Sequence, residues 1–209
     1  ISSSSGALNV VAWTDSGASG SGTATVNLDG VSIDTNGGHF WIGAGAEETW
    51  NGIQGGSGRA FTYNPDSSGV EIVNSSITTD GGDVRVQGLV HHTSGGDVGQ
   101  NNGVRIHQNS SIQTTSGSID IDGLLKGNYD TGVGLHIGGD GTLSDDTTKL
   151  STITGNISLK GVDEGVAGWG HGLLLRANGN DTITRIGTTA GAINIDGSTA
   201  TSNTNDGSG

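Results

Sequence analysis

The chain has 209 residues and a formal net charge of −13 with only eight Lys and Arg, so nucleic acids and anionic membrane surfaces, which attract positive charge, are poor partners for it. It contains no cysteine, which excludes disulfides and thiolate-bound metal ions, and no apolar run approaches the roughly 20 residues that span a bilayer. With 41 glycines and 14% charged residues, the composition alone would suit a flexible low-complexity segment. An ordered fold therefore requires a regular pattern of apolar residues.

One pattern recurs six times along the chain: an aliphatic residue, four mostly polar residues, a glycine and, one residue later, an apolar-x-apolar triplet. The successive glycines are 32, 44, 35, 38 and 36 positions apart, which indicates a period near 36 residues with insertions. The copies begin at Ile1, Ile33, Ile77, Ile112, Leu150 and Ile186, and their glycines are Gly6, Gly38, Gly82, Gly117, Gly155 and Gly191.

A second alternating apolar pair precedes most copies, so each unit offers three short apolar edges. Alternation with period two in short runs bounded by Gly, Ser, Asn and Asp predicts strands, and no segment has a helical periodicity. Stacking successive units about 4.8 Å apart would join like residues into continuous apolar columns. The additional pairs are Val26 and Leu28, Val70 and Ile72, Val104 and Ile106, Leu135 and Ile137, and Leu173 and Leu175.

Each unit is therefore interpreted as one coil of a parallel β-helix, an all-β solenoid of about six coils. Residues 1–209 are expected to form a single β-helical repeat segment, with residues 43–68 as a long loop insertion. Because open ends expose unpaired strand edges, we expect this segment to belong to a longer array that continues in both directions.

The recurring glycine marks a position that needs either a positive φ or a close approach between backbones. The Thr and Ser residues that precede this glycine are typical of a solvated bend, in which hydroxyls satisfy backbone groups. Both features are expected at the corner of a coil.

Alternation also predicts which outward side chains stack on one another. Trp41 lies between two core positions and should face outward, above Arg85 in the next coil and Asp120 in the coil after that. In-register stacking then predicts a cation–π contact from Arg85 to Trp41 and an ion pair from Arg85 to Asp120. Glu71 and Arg105 are placed in the same way.

The other three tryptophans, Trp13, Trp50 and Trp169, fall in Gly-rich insertions. They either cover the bases of these loops, which is the interpretation we favour, or present indoles that could stack on a sugar or on a neighbouring molecule.

Three pairs of aspartates could supply the two carboxylates of a polysaccharide-cleaving β-helix. We interpret them as structural or solvated groups, because the sequence gathers no basic residue, histidine or aromatic platform around any of them. The pairs are Asp80 with Asp83, Asp120 with Asp122, and Asp145 with Asp146.

The sequence also predicts no metal site. The run from Gly138 to Gly141 with Asp145 and Asp146 offers oxygen ligands, but its spacing matches neither the Gly-rich calcium nonapeptide nor an EF-hand loop. His91 and His92 are adjacent, so on a strand they would point to opposite faces and could not readily chelate one ion. The remaining histidines are scattered along the sequence; they are His39, His107, His136 and His171. No Ser/His/Asp triad is indicated. We therefore predict no catalytic, cofactor-binding or metal-binding residues.

Two stretches carry a resemblance to a known family: G-V-E-I-V-N-S-S-I-T-T-D-G-G-D-V-R-V-Q-G, from Gly69 to Gly88, and G-V-R-I-H-Q-N-S-S-I-Q-T-T-S-G-S-I-D-I-D-G, from Gly103 to Gly123. They resemble the repeats of filamentous-haemagglutinin-like exoproteins, which are large secreted bacterial surface proteins. The resemblance implies a right-handed, single-stranded parallel β-helix that is exported and acts in adhesion, biofilm formation or contact between cells. The implied partners are the protein itself and a cell-surface glycan or protein receptor, without nucleic acid or membrane insertion.

The leading hypothesis is thus a non-catalytic structural or adhesive segment of a secreted surface protein or extracellular filament. The alternative is a β-helical polysaccharide-degrading enzyme or a tailspike-like protein. An ice-binding or ligand-binding solenoid with flat Thr arrays fits less well, because Thr does not recur as T-x-T at one place in every coil.

Overall fold

The computed structural model describes residues 1–14, 24–63, 67–92, 101–139, 147–177 and 184–199. Every regular element in these ranges is a β-strand, which confirms the predicted all-β class. In the same part of the chain, no helix has the length and hydropathy needed to cross a membrane. The strands are β1 (Val10–Thr14), β2 (Val26–Asp29), β3 (Ser32–Asp34), β4 (Phe40–Trp50), β5 (Ile53–Gly58), β6 (Ala60–Thr62), β7 (Val70–Val73), β8 (Ser76–Thr78), β9 (Val84–His92), β10 (Asn102–His107), β11 (Ser111–Gln113), β12 (Ile119–Gly138), β13 (Lys149–Thr152), β14 (Ile157–Arg176), β15 (Arg185–Thr188) and β16 (Ile193–Thr199).

The strands stack in parallel as three sides of a solenoid-like core. Side A is the five-stranded sheet β3-β8-β11-β13-β15. Side B contains β2, β7, β10 and the carboxyl-terminal parts of β12 and β14. Side C contains β1, β4, β9, the amino-terminal parts of β12 and β14, and β16. Sides B and C belong to one larger sheet, because β12 and β14 run through both.

Like residues stack on like residues along each side, which confirms the predicted apolar columns. The inward positions form one continuous core, and they are almost completely buried in the middle coils because each coil covers the next. Side A contributes Ile33, Ile77, Ile112, Leu150 and Ile186. Side B contributes the five pairs that begin with Val26, Val70, Val104, Leu135 and Leu173, and side C the pairs that begin with Phe40, Val84, Ile119, Ile157 and Ile193.

The first copy of the repeat departs from the predicted register. The pattern places Leu8 and Val10 over the first inward pair of side C, but Val10 pairs with Phe40 and Ala12 pairs with Ile42. Ser2 still bridges Asp34, so the first copy contains two more residues than the second before it reaches side C. As a result Gly6 does not stack on the next glycine of the repeat, and nothing lies within 4 Å of the position of its missing side chain.

The repeat glycines are required by close backbone approach and not by a positive φ. A Cβ atom added at Gly82, Gly117, Gly155 or Gly191 would overlap the carbonyl oxygen of the repeat glycine one coil earlier. None of these glycines has a positive φ. The two possibilities left open by the sequence are thus resolved in favour of close packing between successive coils.

A row of threonines lines the same corner of the solenoid. The hydroxyls of Thr35, Thr79 and Thr114 donate to the carbonyl oxygen of the glycine three residues later, at 2.5, 2.5 and 2.9 Å. Thr152 and Thr188 donate across to the repeat glycine of the previous coil, each at 3.1 Å. Thr35 and Thr79 are fully buried, and their hydroxyls satisfy carbonyls that water does not reach. Their neighbours Asp34, Asn36 and Asp80 are exposed, so the bend is solvated as predicted except at the threonines.

Residues 43–62, predicted to lie in a loop insertion, contain strands instead. The end of β4 pairs with β5 in an antiparallel hairpin, in which Trp50 pairs with Ile53. The turn between them is Asn51-Gly52, and both residues have positive φ, 49° and 77°. An Asn-Gly pair is the preferred sequence for a two-residue hairpin turn, so local turn chemistry accounts for the difference.

Two further glycine rows lie where the chain leaves side C and returns to side B. A Cβ atom at Gly123 would overlap the carbonyl of Gly134, and one at Gly161 would overlap the carbonyl of Gly172. Between these two glycine rows the chain extends away from the core. The extended segments, residues 89–92, 124–133 and 162–171, stack on one another and form a side lobe. Val90 and Leu125 form a small core of its own. The rows are Gly88, Gly123, Gly161 and Gly197, and Gly69, Gly103, Gly134 and Gly172.

The close packing at the repeat glycines predicts a position-dependent cost for alanine. Gly117→Ala should lower the free energy of unfolding by about 1–3 kcal/mol, because the new methyl group must displace the backbone of the previous coil. Gly6→Ala is the matched control, since its added Cβ meets no other atom. Urea denaturation followed by circular dichroism measures both, and equal midpoints for the two variants would contradict the inferred packing.

Candidate functional site

The strongest concentration of aromatic and charged side chains lies on the outer face of side C, at β4, β9 and β12. Trp41, Arg85 and Asp120 occupy one outward row in consecutive coils, as the alternation predicts. The guanidinium carbon of Arg85 lies 5.3 Å from the centre of the Trp41 ring, so the predicted cation–π contact is confirmed.

The predicted ion pair between Arg85 and Asp120 is wrong. Nη1 of Arg85 lies 3.2 Å from Oε1 of Glu48, a residue of the hairpin β4–β5. The same hairpin brings Trp50 within 5.7 Å of the Arg85 guanidinium carbon. The physical reason is local: the hairpin folds back over the row and offers Arg85 a carboxylate and a second ring that stacking between coils does not supply.

The hairpin also buries Trp41, although its side chain points away from the core. The ring is fully buried, and a Cβ atom at Gly55 would overlap it, so the glycine allows the hairpin backbone to lie against the indole. Trp50 meets the Trp41 ring edge-on, with centroids 5.6 Å apart and planes at 62°. These contacts make Trp41 the centre of a second, external packing layer.

Three tryptophans were predicted to cover the bases of Gly-rich loops, and the contacts of two of them support this role. Trp13 is half-buried in β1, and its Nε1 donates to the carbonyl oxygen of Gly45 at 3.0 Å. Trp50 is half-buried between Trp41 and the ring of His39, whose centroid is 5.6 Å away. The side chain of Trp169 lies outside the described residues.

Asp80 and Asp83 serve the corner between coils. Asp83 Oδ1 accepts a hydrogen bond from the backbone N of Ser118 at 2.7 Å, and Oδ2 accepts one from Nδ2 of Asn51 at 2.5 Å. The backbone N of Asp83 in turn donates to Nδ1 of His39 at 2.9 Å. Asp80 has a positive φ of 52°, and its carbonyl accepts hydrogen bonds from the next coil. The structural interpretation of this pair therefore agrees with its contacts.

Asp120 and Asp122 both point outward from β12, as predicted, but they differ in environment. Asp122 forms an ion pair with Arg59, which lies between β5 and β6. The sequence pattern did not predict this pair. Desolvation raises the pKa of Asp120, and the nearby charge of Asp122 adds to this effect, while Arg85 opposes it. Asp120 as a whole residue is exposed, whereas Asp122 is half-buried.

A second charged cluster lies on the outer face of side B. Glu71 and Arg105 are register neighbours, and Nη1 of Arg105 lies 3.4 Å from Oε1 of Glu71, as their stacking predicts. His107 joins them, with Nε2 3.0 Å from the same carboxylate oxygen, although the sequence left this histidine unassigned. Its position two residues after Arg105, on the same outward face, is the signal that could have identified it. The hydrogen bond from His107 lowers the pKa of Glu71, with Arg105 contributing, against the effect of burial.

The other candidate residues do not converge into a site in the described structure. His91 lies 5.4 Å from the ring of Tyr63, and the side chain of His92 lies outside the described residues. The candidate calcium run is described only at its first two glycines, and Asp145 and Asp146 lie outside the described residues. Among the residues that are described, no group of three or more His, Cys, Asp or Glu could hold a metal ion.

The cluster on side B predicts a pH-dependent contribution to stability. Because the pKa of Glu71 is lowered in the folded state, its stabilising contribution is present above the unfolded value of 4.5 and is lost as the pH falls through the folded-state value. Glu71→Gln should therefore lower the free energy of unfolding by about 1–3 kcal/mol at pH 7 and by much less near pH 3.

Glu164→Gln is the matched control for this measurement. Glu164 pairs with Lys126 at 2.9 Å, but both side chains are largely exposed, so its loss should cost less than about 1 kcal/mol at either pH. Denaturant unfolding at the two pH values measures both variants. A Glu71→Gln effect that is the same at pH 7 and pH 3 would contradict the inferred role of the carboxylate.

The charged side chains of both clusters are largely matched by opposite charges within the chain. Arg59, Arg85 and Arg105 each contact a carboxylate, and the two clusters lie on different sides of the solenoid. Their contacts join one coil to another or join the hairpin to the core. The sequence matches no family model, and comparison with curated proteins and with solved structures finds no match either.

Proposed function

We propose that the chain is a right-handed, single-stranded parallel β-helix that serves as a non-catalytic segment of a secreted bacterial surface protein or extracellular filament. Its role would be structural and adhesive, in adhesion, contact between cells or self-association. The observation that carries this proposal is the in-register stacking along all three sides, from β3 to β15 on side A, from β2 to the end of β14 on side B, and from β4 to β16 on side C. Such a stack is stabilised by contacts between neighbouring coils and extends in one direction, which suits a shaft that projects a surface.

The use of the carboxylates supports a structural role. A general acid, base or nucleophile must have a carboxyl group that can reach the substrate. The side chains of Asp83, Asp122 and Glu71 are instead engaged by backbone groups, amides or cations of the chain itself. These contacts hold coils together and leave the carboxylates poorly placed for attack on an external molecule.

One observation favours the alternative of a β-helical enzyme that acts on polysaccharide. Asp120 lies in the outward row of Arg85 and Trp41 and its pKa is raised, which is the direction that a general acid requires. The mechanism needs a second carboxylate across the scissile bond. The neighbouring Asp122 is held by Arg59, which makes it a poor nucleophile.

Turnover assays separate the two candidates. We expect the wild-type chain and the Asp120→Asn variant to release no reducing ends from neutral or acidic polysaccharides, because Asp122, the carboxylate beside Asp120, is held by Arg59. Identical traces for both proteins and for buffer would support the non-catalytic assignment. Release by the wild type that Asp120→Asn abolishes would overturn it in favour of the enzyme.

Adhesion is measured directly with beads that carry the folded chain. Beads coated with it should bind to each other or to bacterial and epithelial cells in a saturable manner that free chain competes away. Beads that carry the same density of heat-unfolded chain are the control, because they have the same composition and charge without the fold. Equal retention of both bead types would contradict an adhesive role.

A further inference from the structure

Three polar atoms on the outer face of side C are buried and have no hydrogen-bond partner among the described residues. They are Nε of Arg59, Oε1 of Gln87 and Oδ1 of Asp122. Gln87 as a whole is only 8% exposed. Buried polar atoms in proteins are normally hydrogen-bonded, and an unbonded one costs free energy. Three such atoms on one face therefore indicate a place that receives polar groups from outside the chain.

The strand register brings these three side chains together. Gln87 of β9 pairs with Asp122 of β12. Arg59 directly precedes Ala60, which pairs with Gly88 of β9, so Arg59 stands beside Gln87 on the side opposite Asp122. The guanidinium must cross Gln87 to form the ion pair between its Nη2 and Oδ2 of Asp122. We call Arg59, Gln87 and Asp122 the Gln87 site.

The Arg59 side chain is the outer cover of the Gln87 site. It is 28% exposed, and the side chain of its partner Asp122 is 18% exposed. An ion pair that is partly open to water contributes little to stability. The long Arg59 side chain can therefore turn aside at small cost and give a ligand access to Gln87.

The unbonded atoms specify the chemistry of the ligand. Oε1 of Gln87 and Oδ1 of Asp122 accept hydrogen bonds, and Nε of Arg59 donates one. The ligand must therefore both donate and accept, which adjacent hydroxyl groups of a sugar do and a carboxylate, sulfate or phosphate does not. The net charge of −13 also opposes an anionic ligand.

An aromatic strip adjoins the polar atoms along β6. Arg59, Phe61 and Tyr63 alternate with Ala60 and Thr62, which are fully buried, so the first three share the outward face. The rings of Phe61 and Tyr63 meet edge-on with centroids 4.3 Å apart, and Tyr63 is 37% exposed. An exposed ring of this kind can take the apolar face of a sugar.

The distance along β6 sets the size of the ligand. Successive outward residues of a strand lie about 6.6 Å apart, and two such steps separate Arg59 from Tyr63. A ligand that reaches both the Gln87 site and Tyr63 must therefore contain more than one sugar ring.

We propose that the Gln87 site and Tyr63 together bind a neutral oligosaccharide, with hydroxyl groups of one sugar bonded to the Gln87 site and a further sugar ring stacked on Tyr63. This inference rests on the proposed adhesive function, for which it names the class of receptor and the surface that binds it. Water takes the same hydrogen bonds when no saccharide is bound, and the sugar hydroxyls replace it.

Isothermal titration calorimetry with tetrasaccharides tests the site. The neutral probes are linear tetraoses of glucose, mannose, galactose and xylose, and tetragalacturonate is the anionic comparison. The wild type should bind one or more of the neutral probes saturably and should bind tetragalacturonate more weakly, because the carboxylates of this probe cannot donate to Gln87 and Asp122.

Substitutions locate the binding surface. Gln87→Leu should weaken binding about 5- to 100-fold, because it leaves a sugar hydroxyl without its partner while it keeps the volume of the side chain. Tyr63→Ala should weaken binding about 2- to 10-fold through loss of the ring, and its exposed position keeps the test valid if Gln87→Leu does not fold. Gln113→Leu is the matched control, since Gln113 is an outward glutamine on side A, and it should bind as the wild type does. Thermal unfolding checks that the three variants remain folded.

Binding of no neutral probe, tighter binding of tetragalacturonate, or wild-type affinity in folded Gln87→Leu or Tyr63→Ala would overturn the proposal. Failure of the site is distinguishable from failure of the proposed function. Beads coated with Gln87→Leu that adhere to cells as well as wild-type beads would remove the site and leave adhesion intact. Saccharide binding by a chain whose beads do not adhere would remove adhesion and leave the site.

Discussion

The closeness of successive coils at one corner of the solenoid is the constraint on which the structure depends. The carbonyl oxygen of each repeat glycine occupies the space that the Cβ atom of the next would need, so every coil after the second must have glycine there. The buried threonines three residues earlier satisfy these carbonyls from inside the corner. Once this corner is fixed, the strands on all three sides can pair only in the observed register, because a slip of one residue would turn the core residues outward.

The two glycine rows between sides C and B explain how a regular core accommodates repeats of different length. The chain leaves side C and returns to side B through a crossing so narrow that backbone meets backbone at Gly123 and Gly134. Everything beyond that crossing can vary in length without disturbing the columns. The long excursion after Gly43 accordingly forms a hairpin and an additional strand, while residues 124–133 stack as a simple out-and-back segment. Spacing between repeat glycines therefore varies more than the core does.

What the sequence reveals and what it conceals follow from the range of each interaction. Contacts between coils obey the period-two alternation, so the apolar columns, the Arg85–Trp41 contact and the Glu71–Arg105 pair could all be predicted. Contacts made by the hairpin β4–β5 obey no period. The choice of Glu48 as the partner of Arg85, and the complete burial of an outward Trp41, therefore required the structure. In the same way, the repeat pattern could not reveal the two extra residues of the first copy, because Gly6 stands at the position where the pattern requires a glycine.

Charge shapes how such a stack can associate. The net charge of −13 opposes any contact that brings large surfaces of two copies together, and lateral packing would do this along the full length of the solenoid. Outward charges within the stack are paired between coils, as for Glu71 and Arg105. Repulsion between copies and attraction between coils therefore act on different scales, the first against lateral packing and the second within the stack.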